Sequence, residues 1–151
     1  ESLIKELHSI LKMGTSDSRK KWFTVGDYKR LPNEVGGNET TAPEDVHREI
    51  KALLKEYNSK KRKSFEDIID LHQRFEAIHP FQDGNGRVGR LVMFKECLAS
   101  GHVPFIITEE LKMFYYRGLR EWPRIKEYLR DTCLTAQDNY KAVLDYFKVR
   151  Y

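Results

Sequence analysis

The sequence is short of everything that would anchor a chain covalently or in a lipid bilayer. Only two cysteines, Cys97 and Cys133, occur in 151 residues. They make neither a disulfide framework nor a zinc site, and Cys97, set in a helix-like apolar pattern, reads as core filler. No window approaches the ~20 apolar residues of a membrane span, and no signal peptide is visible, so the expected compartment is the cytoplasm. Internal repeats and low-complexity linkers are absent, which leaves one domain over residues 1–151 as the expectation. The chain opens on Glu1 rather than methionine, as a piece of a longer protein would. Charge of one sign is also lacking. The 27 basic and 23 acidic residues leave a net charge of +4 and a pI near 9.0, a mildly basic surface that suits anionic partners such as nucleotides without naming one. The one dense basic run, Lys60-Lys61-Arg62-Lys63, reads as a solvated loop between helices, and a nucleic-acid partner is not expected.

What is present is helical periodicity. Leu3, Ile4, Leu7, Ile10 and Leu11 fall on one stripe closed by Gly14. Val46, Ile50, Leu53, Leu54 and Tyr57 form a second, opened by a capping Thr41 and a first-turn Pro43. Ser64-Phe65-Glu66-Asp67 starts a third, which turns Phe65, Ile68, Ile69, His72, Phe75 and Ile78 inward. A fourth helix is predicted from about Asn85 to Ser100 with Gly101 as its stop, and two or three more follow over Leu111–Leu119, Ile125–Cys133 and Tyr140–Phe147. Trp22 to Asn38 breaks the pattern and reads as a β-hairpin or extended flap. The predicted fold class is all-α, a helical bundle with a small β-hairpin flap.

Chemistry concentrates in His79-Pro80-Phe81-Gln82-Asp83-Gly84-Asn85-Gly86-Arg87-Val88-Gly89-Arg90. Pro80 disfavours helix at His79 and puts the imidazole at a helix-to-loop junction. Gly84-Asn85-Gly86 leads into the next helix, whose bare N-terminal amides suit phosphate oxygens. Arg87 and Arg90, three apart, share a face, although positive charge at a helix start opposes the helix dipole unless an anion is bound. Asp83 adds an oxygen ligand where a magnesium ion bridging phosphates would sit. A proton acceptor, a cation ligand, an anion cradle and two guanidinium groups together point to phosphoryl or nucleotidyl transfer.

This stretch resembles the signature of the Fic family, His-Pro-Phe-x-(Asp/Glu)-Gly-Asn-Gly-Arg-x-x-Arg, at all nine specified positions. Gly26 to Lys29 and Asn33 to Gly37 resemble the family's flap, and Ser2 to Gly14 its leading helix. The resemblance implies a Fic-type bundle, with the flap at about 22–38 and the motif loop and helix at 79–100. It also implies a protein adenylyltransferase that moves AMP from ATP to a Ser, Thr or Tyr hydroxyl of a target protein. By the same resemblance His79 is the general base, Asp83 holds Mg2+, and Phe81 lies beneath the loop. Gly84, Asn85 and Gly86 line the anion hole, while Arg87 and Arg90 take the departing pyrophosphate and the γ-phosphate. Flap residues Lys29, Arg30, Leu31, Asn33 and Val35 hold the target by strand-like pairing. Lys29 stands where the family commonly has Arg. Gly86 favours nucleotidyl transfer over a phosphorylating branch that has Lys there. Another donor (UTP, GTP or a phosphocholine donor), AMP removal, or an idle nucleotide- or nucleic-acid-binding module are the alternatives.

The family's inhibitory helix, (Ser/Thr)-x-x-x-Glu-(Gly/Asn), is incomplete both at Ser2–Leu7 and at Thr40–Asp45. The inhibitor is expected upstream of Glu1 or on an antitoxin-like partner, unless this member lacks one, and this chain by itself is expected to be active. His72 reads as a packing or capping residue, and His8, His47 and His102 share no ligand spacing. Trp22 and Trp122 are expected to anchor flap and core. Of Phe114, Tyr115 and Tyr116, core packing is favoured over stacking on adenine.

Overall fold

The computed structural model describes residues 1–151. Six α-helices are joined by loops: α1 (Ser2–Lys12), α2 (Pro43–Ser59), α3 (Phe65–Ile78), α4 (Asn85–Ala99), α5 (Lys112–Glu121) and α6 (Glu127–Tyr146). Two short strands, β1 (Glu34–Val35) and β2 (Asn38–Glu39), pair antiparallel, with Glu34 opposite Glu39 and Val35 opposite Asn38. Gly36 and Gly37 take φ of 59° and 79° in the two-residue turn between them, a conformation that β-carbon-bearing residues resist. The predicted all-α bundle with a small hairpin is what forms. The hairpin is shorter than predicted, because Trp22–Val25 makes no strand: Phe23 there turns into the core, and Trp22 stays 47% exposed instead of anchoring the flap.

The chain divides into two compact units, residues 1–61 with 74–92, and residues 62–73 with 93–151. In the first, Ile4, Phe23, Tyr28, Val46, Ile50, Leu53, Phe75, Phe81 and Val88 form the core. The buried face of α1 is not the predicted one. Ile10 is 70% exposed, while Ile4, His8 and Lys12 are buried, four residues apart and therefore on one helical face. Helix α2 buries Val46, Ile50, Leu53 and Tyr57 as the periodicity predicts, but Ala42 occupies the cap and no side chain caps the helix. Thr41 thus makes no cap, and Pro43, with no N–H to satisfy, opens the helix instead.

In the second unit α3 starts as predicted. Ser64 Oγ accepts from the Asp67 amide at 3.1 Å and Asp67 Oδ2 accepts from the Ser64 amide at 2.9 Å, a reciprocal capping arrangement. Ile68, Ile69, Leu71, Met93, Cys97, Phe105, Tyr115, Trp122, Leu129 and Cys133 are buried there. His72 lies 2.6 Å from the Tyr115 hydroxyl, a packed core pair as read from the sequence. Tyr115 is core, whereas Phe114 and Tyr116 are exposed. Trp122 is a true anchor, donating from Nε1 to Asp70 at 2.9 Å. The segments predicted as two helices after Ile125 are one, α6. No helix is long and apolar enough to cross a membrane.

Candidate active site

The motif lies wholly in the first unit, and its shape is set by Phe81 and Asn85. Phe81 is fully buried, its ring parallel to that of His8 at 3.9 Å and 5.6 Å from that of Tyr28. Asn85, 1% exposed, accepts from the Phe81 amide (2.7 Å) and donates to the Phe81 carbonyl (2.8 Å). Both side chains hold the loop from within. Neither the Phe81 ring nor the Asn85 amide is presented to a nucleotide, so what these residues offer an anion is backbone.

His79 follows the end of α3 at φ 52°, a left-handed conformation uncommon for a residue with a β-carbon. Its Nδ1 lies 3.3 Å from the Glu76 carbonyl oxygen. A carbonyl only accepts, so Nδ1 carries the proton and Nε2 keeps its lone pair. Burial lowers the pKa of this imidazole from its usual 6.5. The Glu76 carbonyl works the other way and the Lys29 ammonium adds to the lowering. The ring is thus held neutral, with an acceptor nitrogen, near neutral pH.

Five residues on, Gly84 adopts φ 89°, and a β-carbon there would come within 3.2 Å of Leu11 Cδ2. The Val88 amide closes the first turn of α4 on the Gly84 carbonyl at 3.0 Å. The amides of Asn85, Gly86 and Arg87 precede that bond and have no intrahelical acceptor. The Arg90 guanidinium lies over Gly86, where a β-carbon would meet its Nη1 at 3.1 Å and Glu76 Oε2 at 3.9 Å. The Glu76 carboxyl, removed from water, is pushed up to about 7 despite the opposing pull of Arg90. Arg87 is half-exposed, with Nη2 3.2 Å from Asp83 Oδ2.

Asp83 is the carboxylate of the loop. Partial burial would raise its pKa, but the Lys12 ammonium, the Gly84 amide and Arg87 prevail and hold it below the usual range. Lys12, at the end of α1, reaches Asp83 Oδ2 at 2.6 Å and Asp17 Oδ2 at 2.7 Å. His8, one turn earlier, accepts at Nδ1 from the Gly26 amide (3.0 Å) and therefore donates from Nε2 to the Asp83 carbonyl (3.1 Å). Nothing in the motif itself points to His8 and Lys12, 75 and 71 residues before Asp83, as parts of the site. Their shared face with Ile4 is the signal that would have found them.

The flap is tied to the motif loop at three points. The Lys29 amide donates to the Pro80 carbonyl (2.8 Å), the Leu31 amide to Gln82 Oε1 (3.3 Å), and Asn33 Nδ2 to the Phe81 carbonyl (2.9 Å). The side chain of Lys29 does not face outward. It is 4% exposed and donates from Nζ to Asn33 Oδ1 (2.7 Å) and Thr40 Oγ1 (2.6 Å), and burial drops its pKa to about 8. The Lys29 and Asn33 side chains therefore brace the flap, while Arg30, Leu31 and Val35 are exposed on it.

The family model for the Fic/DOC family matches residues 1–97. The chain is 31% identical over 98 residues to the protein adenylyltransferase Fic of Drosophila grimshawi, an alignment covering 63% of this chain and 20% of that protein. The Aedes aegypti protein of the same name is 32% identical over the same length. The chain thus spans about a fifth of the length of these relatives. Among solved structures, residues 134–508 of Fic-1 from C. elegans superpose with a TM-score of 0.73 at 21% identity, covering 96% of this chain and 43% of that one. BepC of Bartonella tribocorum, solved with bound AMPPNP, gives 0.70 at 21% identity over 89% of this chain and 72% of that one. At such identities the structures speak to the fold.

Proposed function

Because the chain belongs to the Fic/DOC family, we propose that it is a protein adenylyltransferase, moving AMP from ATP to a hydroxyl side chain of a target protein. The observation that carries this reading is the 3.3 Å contact between His79 Nδ1 and the Glu76 carbonyl, an acceptor that assigns the proton to Nδ1 and leaves Nε2 to take one. Relatives named protein adenylyltransferase support it further.

In this reading the target hydroxyl loses its proton to His79 Nε2 as its oxygen bonds to the α-phosphorus. The bond from that phosphorus to the β-bridging oxygen breaks, and pyrophosphate leaves with the electron pair. The amides of Asn85, Gly86 and Arg87 at the start of α4 cradle phosphate oxygens, aided by the helix dipole. Arg87 meets the charge that develops on the leaving pyrophosphate, and Arg90 takes the terminal phosphate. A magnesium ion, when bound, would neutralise phosphate charge. The donor set suits it, because Asp83 is ionised and half-exposed, and magnesium is commonly held by one carboxylate plus phosphates. No group of three or more His, Cys, Asp or Glu side chains offers a cage independent of nucleotide. The paired strands β1 and β2 carry exposed side chains throughout, and a target segment pairing along such an edge would be read by its backbone.

The test uses ATP labelled at the α- or the γ-phosphate, with Mg2+ and a protein extract. Label retained on protein from the α position alone, and lost with His79→Ala, is the expected result. Label from the γ position instead would overturn adenylylation in favour of phosphorylation.

A further inference from the structure

Asp83 does not stand alone in the motif loop. Lys12 comes from α1, 71 residues earlier, and its ammonium is 4% exposed on the side chain. It lies between two carboxylates, Asp83 Oδ2 at 2.6 Å and Asp17 Oδ2 at 2.7 Å, and over the Phe23 ring at 5.1 Å. On the far side of Asp17 a second lysine, Lys20, pairs with Oδ1 at 2.7 Å but is half-exposed. Arg87 shares Asp83 Oδ2 at 3.2 Å. The single carboxylate that the reading above gives to a divalent cation therefore already faces two unit positive charges. One of them is buried and cannot swing away at small cost, because an unpaired ammonium there would lose both hydrogen bonds and stay out of water.

We propose that Lys12 is a positioning residue for the cation site: it fixes the Asp83 carboxylate against the loop and, as a built-in counter-cation, restrains the affinity of that carboxylate for a divalent ion. The consequence is coupling. With its charge offset, Asp83 is a poor cation site in the empty protein, and the negative charge that makes the site adequate arrives with the triphosphate. Lys12 does this without touching the reacting atoms, and His8 assists by holding the Asp83 carbonyl from the same helix face. The inference rests on the proposed role of Asp83, and the experiment separates the two.

The measurement is nucleotide affinity in the full chain carrying His79→Ala, where turnover does not intervene. ATP dissociation constants are taken by calorimetry with excess Mn2+ and with EDTA, and their ratio reports the cation's contribution. A ratio near one in this parent means that Asp83 holds no cation, and both the role of Asp83 and this proposal fall. Given a ratio well above one that Asp83→Asn flattens, Lys12→Met is expected to raise it on the order of tenfold, the scale of a unit charge removed a few ångströms from a bound cation. Lys12→Arg, which keeps the charge, should stay within about threefold of the parent. Lys20→Met removes the same charge at an exposed position and should stay within about twofold. A folded Lys12→Met protein with an unchanged or smaller ratio overturns the proposal, as does an equal rise in Lys20→Met. Should Lys12→Met not fold, Asp17→Asn supplies the opposite test. It leaves the ammonium to Asp83 alone and should lower the ratio, and no fall would overturn the proposal.

Discussion

The Nδ1 atom of His79 sits 3.3 Å from the carbonyl oxygen of Glu76, three residues back in the last turn of α3. This single relationship decides which nitrogen of the ring can act as a base. Because burial lowers the imidazole's pKa below 6.5, the neutral form persists to lower pH than in a free histidine. A base works only while unprotonated, so the acid limb of the kcat/KM profile, which reports the free protein, should have its midpoint below 6.5 and activity should be flat from there to neutrality. His79→Ala should lower the transfer rate by at least ~100-fold with ATP affinity retained. A midpoint above 6.5 would contradict the assignment.

Gly84→Ala tests the loop's backbone. The substitution places a β-carbon at φ 89°, 3.2 Å from Leu11 Cδ2. The expected cost is about 2 kcal/mol, seen as a fall of roughly 4–8 °C in melting temperature for a chain of this size.

Asn85→Ala should be similarly costly for a different reason. It leaves the buried Phe81 amide without its acceptor at 2.7 Å and the Phe81 carbonyl with only the Asn33 donor at 2.9 Å, a loss of about 2 kcal/mol in urea denaturation. Asn85→Asp should not rescue it, since a carboxylate can accept from the amide but would oppose the carbonyl. Recovery of full stability in the aspartate variant would show that the donor half of the pair is dispensable.

Gln82 links loop and flap through the Leu31 amide at 3.3 Å. Removing that acceptor with Gln82→Ala loosens the flap where a target would pair, while the phosphate cradle is untouched. The expected signature is a rise of about fivefold in KM for the protein target, the worth of one hydrogen bond, with KM for ATP unchanged. Equal changes in both would place the effect in the loop rather than the flap.

Both cysteines should be inert in the native protein. Each is fully buried, and burial pushes the Cys97 thiol up to about 12 and the Cys133 thiol higher still. A thiol-specific reagent at pH 8 should label neither until denaturant is added. Rapid labelling of the folded chain would contradict their place in the core.

The sequence by itself determined the helices and the motif. Apolar spacing in α2 and α3, the Ser64–Asp67 capping pair and the proline after His79 act within a turn or two of the chain, and local rules read them. The same locality explains why the grouping of Asp83, the glycines, Arg87 and Arg90 was legible, for they are neighbours along one loop. What only the tertiary structure decided depends on segments distant in the chain. Ile4, His8 and Lys12 turn inward because α1 meets the motif loop, where His8 stacks on Phe81 and Lys12 reaches Asp83; a hydrophobicity pattern counts a histidine and a lysine as surface and so rotates the helix the wrong way. Trp22–Val25 has strand propensity but no partner strand, and Phe23 is drawn into the core instead. Lys29 turns inward because Asn33 and Thr40, brought close by the hairpin, can satisfy its ammonium. In each case the local preference was real and tertiary burial outweighed it: of an apolar ring at Phe23, and of polar groups with their partners at hand at His8, Lys12 and Lys29.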